Sequence, residues 1–130
     1  MFKNIFKNKN VLITGHNGFK GSWLTQWLNL LEAKITGVSL DPINSLNHWE
    51  SLDLNLQNQY IANINEYKNL SKIFQKENPE IVFHLAAQPL VREGFNNPLK
   101  TWGTNVIGTA NLLECCRNSK SVKAVVVVTT

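Results

Sequence analysis

The sequence predicts an α/β protein with a doubly wound parallel sheet in the strand order 3-2-1-4-5, ending after strand five. Three observations predict this class. Short apolar runs alternate with helical patterns along the whole chain, which is typical of parallel sheets with right-handed crossovers. The first run passes directly into three evenly spaced glycines, Gly15, Gly18 and Gly21. The runs at residues 81–85 and 122–128 are almost wholly apolar, as expected for strands covered on both faces.

Five strands account for the apolar runs. Asp41 and Pro42 end the second strand, because proline cannot continue a hydrogen-bonded ladder. In the order 3-2-1-4-5, strands 2 and 3 are added on one side of strand 1 and strands 4 and 5 on the other. The strand order therefore reverses between strands 1 and 4, beside the glycines. The strands are predicted at residues 10–14, 34–40, 59–61, 81–85 and 122–128.

The first two helices are predicted at residues 19–31 and 66–77. In the first, apolar residues at positions 19, 23, 27, 30 and 31 fit one helical face. Trp23 and Trp27 lie on that face, and we interpret them as core residues between helix and sheet. Asn78 and the proline after it end the second helix.

A third, longer helix is predicted from residue 97 to about residue 116. Asn97 is suited to cap it and Pro98 to occupy its first turn. Gly103 and Gly108 each weaken a helix by about 1 kcal/mol relative to alanine, so we expect the backbone to approach another group closely there. The apolar residues that trace one face of this helix are Leu99, Trp102, Val106, Ala110 and Leu113.

Composition bounds the possible functions. The chain has 130 residues, 43% of them hydrophobic, which predicts one domain over residues 1–130. The net charge of +4 comes from scattered residues, so we expect no nucleic-acid partner. No stretch approaches the roughly 20 apolar residues of a membrane span, and Cys115 and Cys116 are adjacent, a pattern that does not suit an ordinary disulfide. We therefore expect a cytoplasmic protein without a membrane partner.

The glycine-rich segment carries the clearest chemical signal. A strand, a tight glycine turn and a helix N-terminus follow one another at residues 10–31. The first amides of a helix lack internal partners and its dipole is positive at that end, so such a turn can seat a pyrophosphate. This context favours a Rossmann-like nucleotide site over the alternative, a glycine-rich turn that binds nothing.

Asp41 gives a second signal. It lies 20 residues beyond Gly21, at the end of the second strand. A carboxylate there can accept hydrogen bonds from an adenosine ribose and would repel a 2′-phosphate, which favours NAD over NADP. An acidic turn residue before a proline is equally common, and on this residue alone both interpretations stay open.

Three segments, in this order, resemble the extended short-chain dehydrogenase/reductase family. Within that family, residues 15–24 and 83–92 are similar to the nucleotide-sugar 4,6-dehydratases that act on CDP-glucose, and the resemblance covers residues 10–130. The segments are Thr14-Gly15-x-x-Gly18-x-x-Gly21, His84-Leu85-Ala86-Ala87 and Thr104-Asn105-Val106-x-Gly108-Thr109.

The resemblance implies NAD as cofactor. The three histidines of the sequence do not have metal-ligand spacing, so we expect no metal. Asn63 stands where the family usually has aspartate, so it keeps the acceptor oxygen and loses the charge. Gln88 is implied to face the cofactor and sugar, Asn105 to support the active site, and Thr130 to be a catalytic hydroxyl. The cofactor-binding residues are then Gly15, Asn17, Gly18, Phe19, Gly21, Asp41, Asn63, Ile64, Leu85, Ala86, Ala87, Gln88 and Asn105.

The implied reaction converts CDP-glucose to CDP-4-keto-6-deoxyglucose by internal hydride transfer and loss of water, a step in polysaccharide biosynthesis. The family also implies a homodimer paired through helices, one of them at residues 99–117. Because the family's Tyr-x-x-x-Lys pair is not among these 130 residues, we expect the cofactor-binding part of a longer enzyme, inactive alone. The alternatives are another nucleotide-sugar epimerase or dehydratase, and a non-catalytic nucleotide-binding remnant.

Overall fold

A computed structural model describes residues 4–41, 48–52, 54 and 56–129. Its strands form one sheet in the order β3-β2-β1-β4-β5, and every neighbouring pair is parallel. The predicted class and strand order are therefore confirmed, with the reversal between β1 and β4. The strands are β1 Asn10–Thr14, β2 Lys34–Ser39, β3 Asn58–Ile61, β4 Ile81–His84 and β5 Ala124–Val127.

The helices lie close to the predicted positions, with two differences. A short helix after β4 was not predicted, because none of its residues is buried and it carries no apolar stripe. The long third helix is interrupted by a π-helix. The helices are α1 Phe19–Leu30, a 3₁₀ helix His48–Ser51, α2 Tyr67–Glu77, α3 Val91–Asn96, α4 Pro98–Trp102, the π-helix Gly103–Gly108 and α5 Thr109–Asn118.

Two apolar cores lie on opposite faces of the sheet, because successive strand residues point in opposite directions. Leu12 faces the core shared with α2 and α5, which includes Leu70 and Leu112. Its neighbours Val11 and Ile13 face the other core, which Leu28 of α1 covers.

The face of α1 predicted to be buried is exposed, and the interpretation of its tryptophans as core residues is wrong. Phe19 and Leu30 are 73% and 76% exposed, and Trp23 and Trp27 are 52% and 46% exposed. The physical reason is Gly21, whose missing Cβ would lie 2.0 Å from the Gly15 carbonyl oxygen. That contact turns the helix so that the buried residues are Gly21, Ser22, Thr25 and Leu28.

The third helix is also rotated from its predicted orientation. Leu99 and Trp102 of the predicted apolar face are 88% and 66% exposed. Leu112 and Cys115 are buried instead, in line with Gly108. A Cβ on Gly108 would lie 2.5 Å from Ile64 Cδ1, which confirms the expected close approach there, whereas at Gly103 the nearest atom is an ordinary 3.5 Å away.

Two further features concern membranes and thiols. Among the described residues, no helix combines the length and apolarity that a bilayer crossing requires. Cys115 and Cys116 are both free thiols, and burial raises the pKa of each to about 11. They are accordingly unreactive residues of α5 at neutral pH.

Candidate functional site

A cleft of about 730 Å³ lies at the carboxyl ends of the strands, over the point where the strand order reverses. This is the place where open α/β sheets bind ligands. Its wall contains most of the residues that the sequence assigned to a cofactor. The lining residues are Gly15, Asn17, Gly18, Phe19, Lys20, Gly21, Ser39, Leu40, Asp41, His48, Ala62, Asn63, Ile64, Leu85, Ala86, Ala87, Pro89, Thr104, Val128 and Thr129.

The glycine turn presents the N-terminus of α1 to this cleft. Gly15 has φ +72°, a conformation that favours glycine, and its N–H donates to the Val38 carbonyl at 2.7 Å. Gly18 caps α1 without any side-chain hydrogen bond, and the first turn contains no acidic residue. The first-turn amides therefore have no side-chain cap, and Lys20 adds positive charge beside them. This arrangement suits a phosphate group.

One side-chain hydrogen bond holds the end of β2 against the turn. Asn17 lines the cleft and its Nδ2 donates to the Leu40 carbonyl at 2.9 Å, so this side chain braces the turn onto β2. Asp41 follows in the cleft wall. A carboxylate at the end of the second strand is positioned to accept from hydroxyls of a bound nucleoside.

The loop after β3 forms the adjoining wall. Asn63 Oδ1 accepts from the Asn65 N–H at 3.0 Å, so its side chain stabilises its own turn. Asn111 of α5 donates to the Ile64 carbonyl at 3.0 Å and to the Asn65 carbonyl at 3.1 Å. Sequence analysis missed Asn111; its signal was a polar residue next to the buried line of α5. With Gly108 against Ile64, these contacts fix the loop to the helix.

The segment after β4 completes the wall. Leu85, Ala86 and Ala87 line the cleft as predicted. A Cβ on Gly15 would lie 2.8 Å from the Ala86 nitrogen, so the glycine turn and this segment are in direct backbone contact. Beyond this contact, the small side chains of Ala86 and Ala87 leave the cleft open.

Gln88, whose predicted contact with the cofactor and sugar stays a prediction, uses its side chain at the start of α3. Its Oε1 accepts from the Leu90 N–H at 2.7 Å, and its Nε2 donates to Thr101 Oγ1 at 2.9 Å and to the Leu90 carbonyl at 3.2 Å. Gln88 is not among the cleft-lining residues. Its side chain supplies a partner for the Leu90 N–H at the start of α3.

Asn105 lies outside the cleft wall and supports it from behind. Its Oδ1 accepts from the Gln88 N–H at 2.7 Å, and its Nδ2 donates to the Gln88 carbonyl at 3.1 Å. Its predicted support of the active site and its place among the cofactor-binding residues stay predictions. Thr130, the predicted catalytic hydroxyl, lies outside the described residues; Thr129 before it lines the cleft.

His48 is a cleft residue that sequence analysis did not assign. Its Nδ1 lies 2.7 Å from Ser22 Oγ, and its ring stacks on the indole of Trp23 with 4.6 Å between centroids. Because Ser22 Oγ donates to the Phe19 carbonyl, His48 Nδ1 is the donor to Ser22. The contact joins residues 26 positions apart, and no local pattern announces it.

His16 lies beneath the turn rather than in the cleft wall. It is completely buried, and its ring is edge-on to Trp49 at 4.7 Å. Neither ring nitrogen has a hydrogen-bond partner among the described residues. Burial lowers the pKa of His16 to about 4. The nearby Val38 carbonyl raises this pKa slightly, although it makes no hydrogen bond to the ring. Over the described part of the chain, no three His, Cys, Asp or Glu residues form a metal-binding group.

Sequence comparison finds relatives over nearly the whole chain. A family model described as GDP-mannose 4,6 dehydratase matches residues 12–130. A CDP-glucose 4,6-dehydratase of Salmonella typhimurium is 43% identical over 98% of this chain and 36% of its own length. The chain spans about a third of the length of the curated relatives it matches (36%, 29% and 34% for three of them).

Solved structures share the fold. UDP-glucose 4-epimerase from Thermotoga maritima, crystallised with UDP-glucose, superposes with a TM-score of 0.81 at 32% identity, over 92% of this chain and 37% of that one. MoeE5 in complex with UDP-glucuronic acid and NAD superposes with a TM-score of 0.76 at 30% identity, over 92% of this chain and 36% of that one.

Proposed function

This chain belongs to the GDP-mannose 4,6 dehydratase family of nucleotide-sugar dehydratases and epimerases, and from that premise we propose that it is the NAD-binding part of a 4,6-dehydratase acting on CDP-glucose. The observation that carries the proposal is the cleft at the end of β1. There, α1 amides without a side-chain cap meet small residues of the segment after β4.

The residues present fit a dinucleotide. The first-turn amides of α1, with Lys20 beside them, would hold the pyrophosphate. Asp41 would accept from the ribose hydroxyls, and its charge opposes a 2′-phosphate. Ile64 offers apolar surface for the adenine, and Ala86 and Ala87 admit the nicotinamide end toward the strand termini. When bound, NAD supplies a hydride acceptor and donor.

The choice of CDP-glucose is supported by the 43% identity to the Salmonella enzyme. Two stretches that carry the resemblance to CDP-glucose dehydratases have defined structural roles. Ser22 and Trp23 hold His48 at the cleft, and Gln88 fixes the start of α3 through Leu90. Both stretches border the cleft, where they can influence which substrate is accepted.

The remaining assignments belong to the same proposal. Residues 1–130 form one NAD-binding domain, and Thr130 supplies a hydroxyl to the reaction. The protein works as a cytoplasmic homodimer in polysaccharide biosynthesis. The exposed apolar residues of the third helix support the dimer, since contiguous apolar patches mark interaction surfaces.

The test uses the full-length protein. Calorimetry should detect NAD binding, and binding to NADP should be weaker. Incubation with CDP-glucose should yield the 4-keto-6-deoxy product, identified by mass spectrometry, in preference to dTDP-glucose, GDP-mannose and UDP-glucose. Turnover of a different nucleotide sugar would correct the substrate, an interconverted C4 epimer would assign an epimerase, and no NAD binding would overturn the cofactor site.

A further inference from the structure

We propose that His84 is a positioning residue for the cleft. One ring nitrogen bonds Thr14 at the end of β1 and the other bonds Thr109 of α5. His84 thereby fixes the position of the cleft-lining segment 85–87 that follows it. The inference deepens the proposed function, because the ligand affected by this positioning is the NAD assigned above.

The contacts around His84 allow one arrangement of protons. On one side, Thr14 Oγ1 lies 2.6 Å from Nδ1 and accepts from the Ala86 N–H at 3.3 Å. On the other side, Thr109 Oγ1 lies 2.9 Å from Nε2 and donates to the Asn105 carbonyl at 2.8 Å. Because the Thr109 proton is already used, Nε2 must carry a proton and donate to Thr109. Nδ1 of the neutral ring then accepts from Thr14.

Burial makes this arrangement costly to disturb. Thr14 is fully buried and His84 is 3% exposed, and the two are opposite each other in the β1–β4 register. At the Thr14 contact water has no ready access to replace a lost partner, and an unpaired buried group is expensive. The Thr109 contact is partly buried. Burial also lowers the pKa of His84 below its ordinary value, so the neutral ring required by the contacts is the stable form at neutral pH.

A second attachment of this segment lies one helical turn before Thr109. Asn105, in the π-helix Gly103–Gly108, holds both backbone groups of Gln88. Its own carbonyl accepts from Thr109, the residue that His84 contacts. The segment between His84 and Gln88 is therefore held to the same helix at both ends, and its three residues are those that line the cleft.

If His84 and Thr109 act through hydrogen bonds, variants of similar shape should differ according to whether they keep the hydrogen-bonding group. If they only fill space, such variants should behave alike. Thr109→Val removes the hydroxyl and keeps the shape, whereas Thr109→Ser keeps the hydroxyl. At position 84, glutamine can reach the Thr109 hydroxyl with its amide, whereas asparagine has its amide at the position of Nδ1 and reaches only Thr14. We expect Thr109→Val and His84→Asn to loosen the segment and Thr109→Ser to preserve it. His84→Gln keeps the Thr109 contact and loses the Thr14 contact, so it should loosen the segment less than His84→Asn.

The experiment measures hydrogen–deuterium exchange of peptides covering residues 85–90, and NAD affinity by calorimetry, in the full-length protein. Thr109→Val and His84→Asn should speed exchange of the Gln88 amide and weaken NAD binding on the order of tenfold, as expected when a buried bond is broken and its donor left unpaired. Thr36→Val is the control: Thr36 is a buried threonine that bonds Glu77 away from the cleft, so it should alter stability but neither readout.

The two readouts separate this inference from the function on which it rests. Unchanged exchange at residues 85–90 in Thr109→Val overturns the inference whether or not NAD binds. Equal loss in the Gln and Asn variants of His84 also overturns it, because that result indicates packing alone. If the variants show the predicted exchange pattern but the wild-type protein does not bind NAD, the positioning role stands and the cofactor assignment fails.

Discussion

At the scale of single residues, Gly21 shows how one missing Cβ orients a helix. The Gly15 carbonyl occupies the place where that Cβ would be, 2.0 Å away. The positions one and two turns later, Thr25 and Leu28, consequently face the sheet. The aromatic residues of α1 are left on the outside, although their spacing alone suggests a buried stripe.

The first prediction compares two glycines. Gly21→Ala should destabilise the full-length protein by at least about 1–3 kcal/mol, the usual range for overpacking, and should abolish NAD binding because the α1 N-terminus must move. Gly94→Ala is the matched control: it lies in α3, where the nearest atom is 3.9 Å from the added Cβ, and should be neutral or stabilising by about 0.5–1 kcal/mol. Chemical denaturation and calorimetry measure both, and equal behaviour of the two variants would contradict the account of the turn.

The second prediction concerns the buried ring of His16. Its pKa is about 4 in the folded protein against 6.5 for the free side chain. Between these pH values the imidazole is protonated in the unfolded chain and neutral in the folded protein. The free energy of unfolding therefore falls as the pH decreases from 6.5 toward 4. His84, whose pKa is also lowered by burial, adds to the same trend.

Denaturation curves of wild type and His16→Asn between pH 7.5 and 5 test this. The variant should lose a large part of the slope of stability against pH, whatever its absolute stability. The contribution of His16 over its whole range is at most about 3 kcal/mol. Parallel slopes in the two proteins would show that His16 does not titrate as its burial requires.

At the scale of elements, the third helix serves the cleft through its irregular middle. The π-helix contains Asn105, which holds the backbone of Gln88, and ends at Gly108, which allows Ile64 to approach. Asn111 then holds the loop that contains Ile64. π-Helical segments occur often at functional sites, and here the segment positions two walls of the cleft.

The third prediction compares the two glycines of that segment. Gly108→Ala places a Cβ 2.5 Å from Ile64 Cδ1, so Ile64 must move, and NAD affinity should fall several-fold with a stability cost of about 1–3 kcal/mol. Gly103→Ala meets only an ordinary 3.5 Å contact and should leave affinity unchanged. Calorimetry on both variants decides the matter; a loss of affinity in Gly103→Ala as large as in Gly108→Ala would refute the role given to Ile64.

At the scale of the whole molecule, two groups of exposed apolar residues lie on separate helices. One lies on α1 and includes Leu30; the other lies on the third helix and includes Leu99 and Trp102. The proposed homodimer uses the second face, whose apolar residues continue from α4 through the π-helix into α5. A face of this length matches the helix pairing that the family implies.

The fourth prediction tests that dimer. Trp102→Glu should dissociate the full-length protein into folded monomers, because a carboxylate buried in an apolar interface has no partner there. Leu30→Glu, at an equally exposed position on α1, should leave the oligomeric state unchanged. Sedimentation velocity with circular dichroism reports both properties; a Trp102→Glu protein that sediments as wild type would exclude this face.

The sequence by itself determined the α/β class, the strand order, the glycine turn and the general location of the cleft. It could do so because apolar runs, glycine spacing and proline breaks are local features, and because right-handed crossovers leave few arrangements open. The structure places Gly15, Asp41 and Ala86 in one cleft as their positions at strand ends predict.

Only the tertiary structure decided which side of α1 and of the third helix is buried and where Gln88, His48 and Asn105 point. Periodicity gives the spacing of apolar residues but not the neighbour that a helix must approach most closely. That neighbour was a backbone carbonyl for α1 and the Ile64 side chain for the third helix. In both helices a close contact at a glycine, rather than the apolar stripe, determined which side is buried. Atoms cannot overlap, whereas an aromatic face can remain exposed.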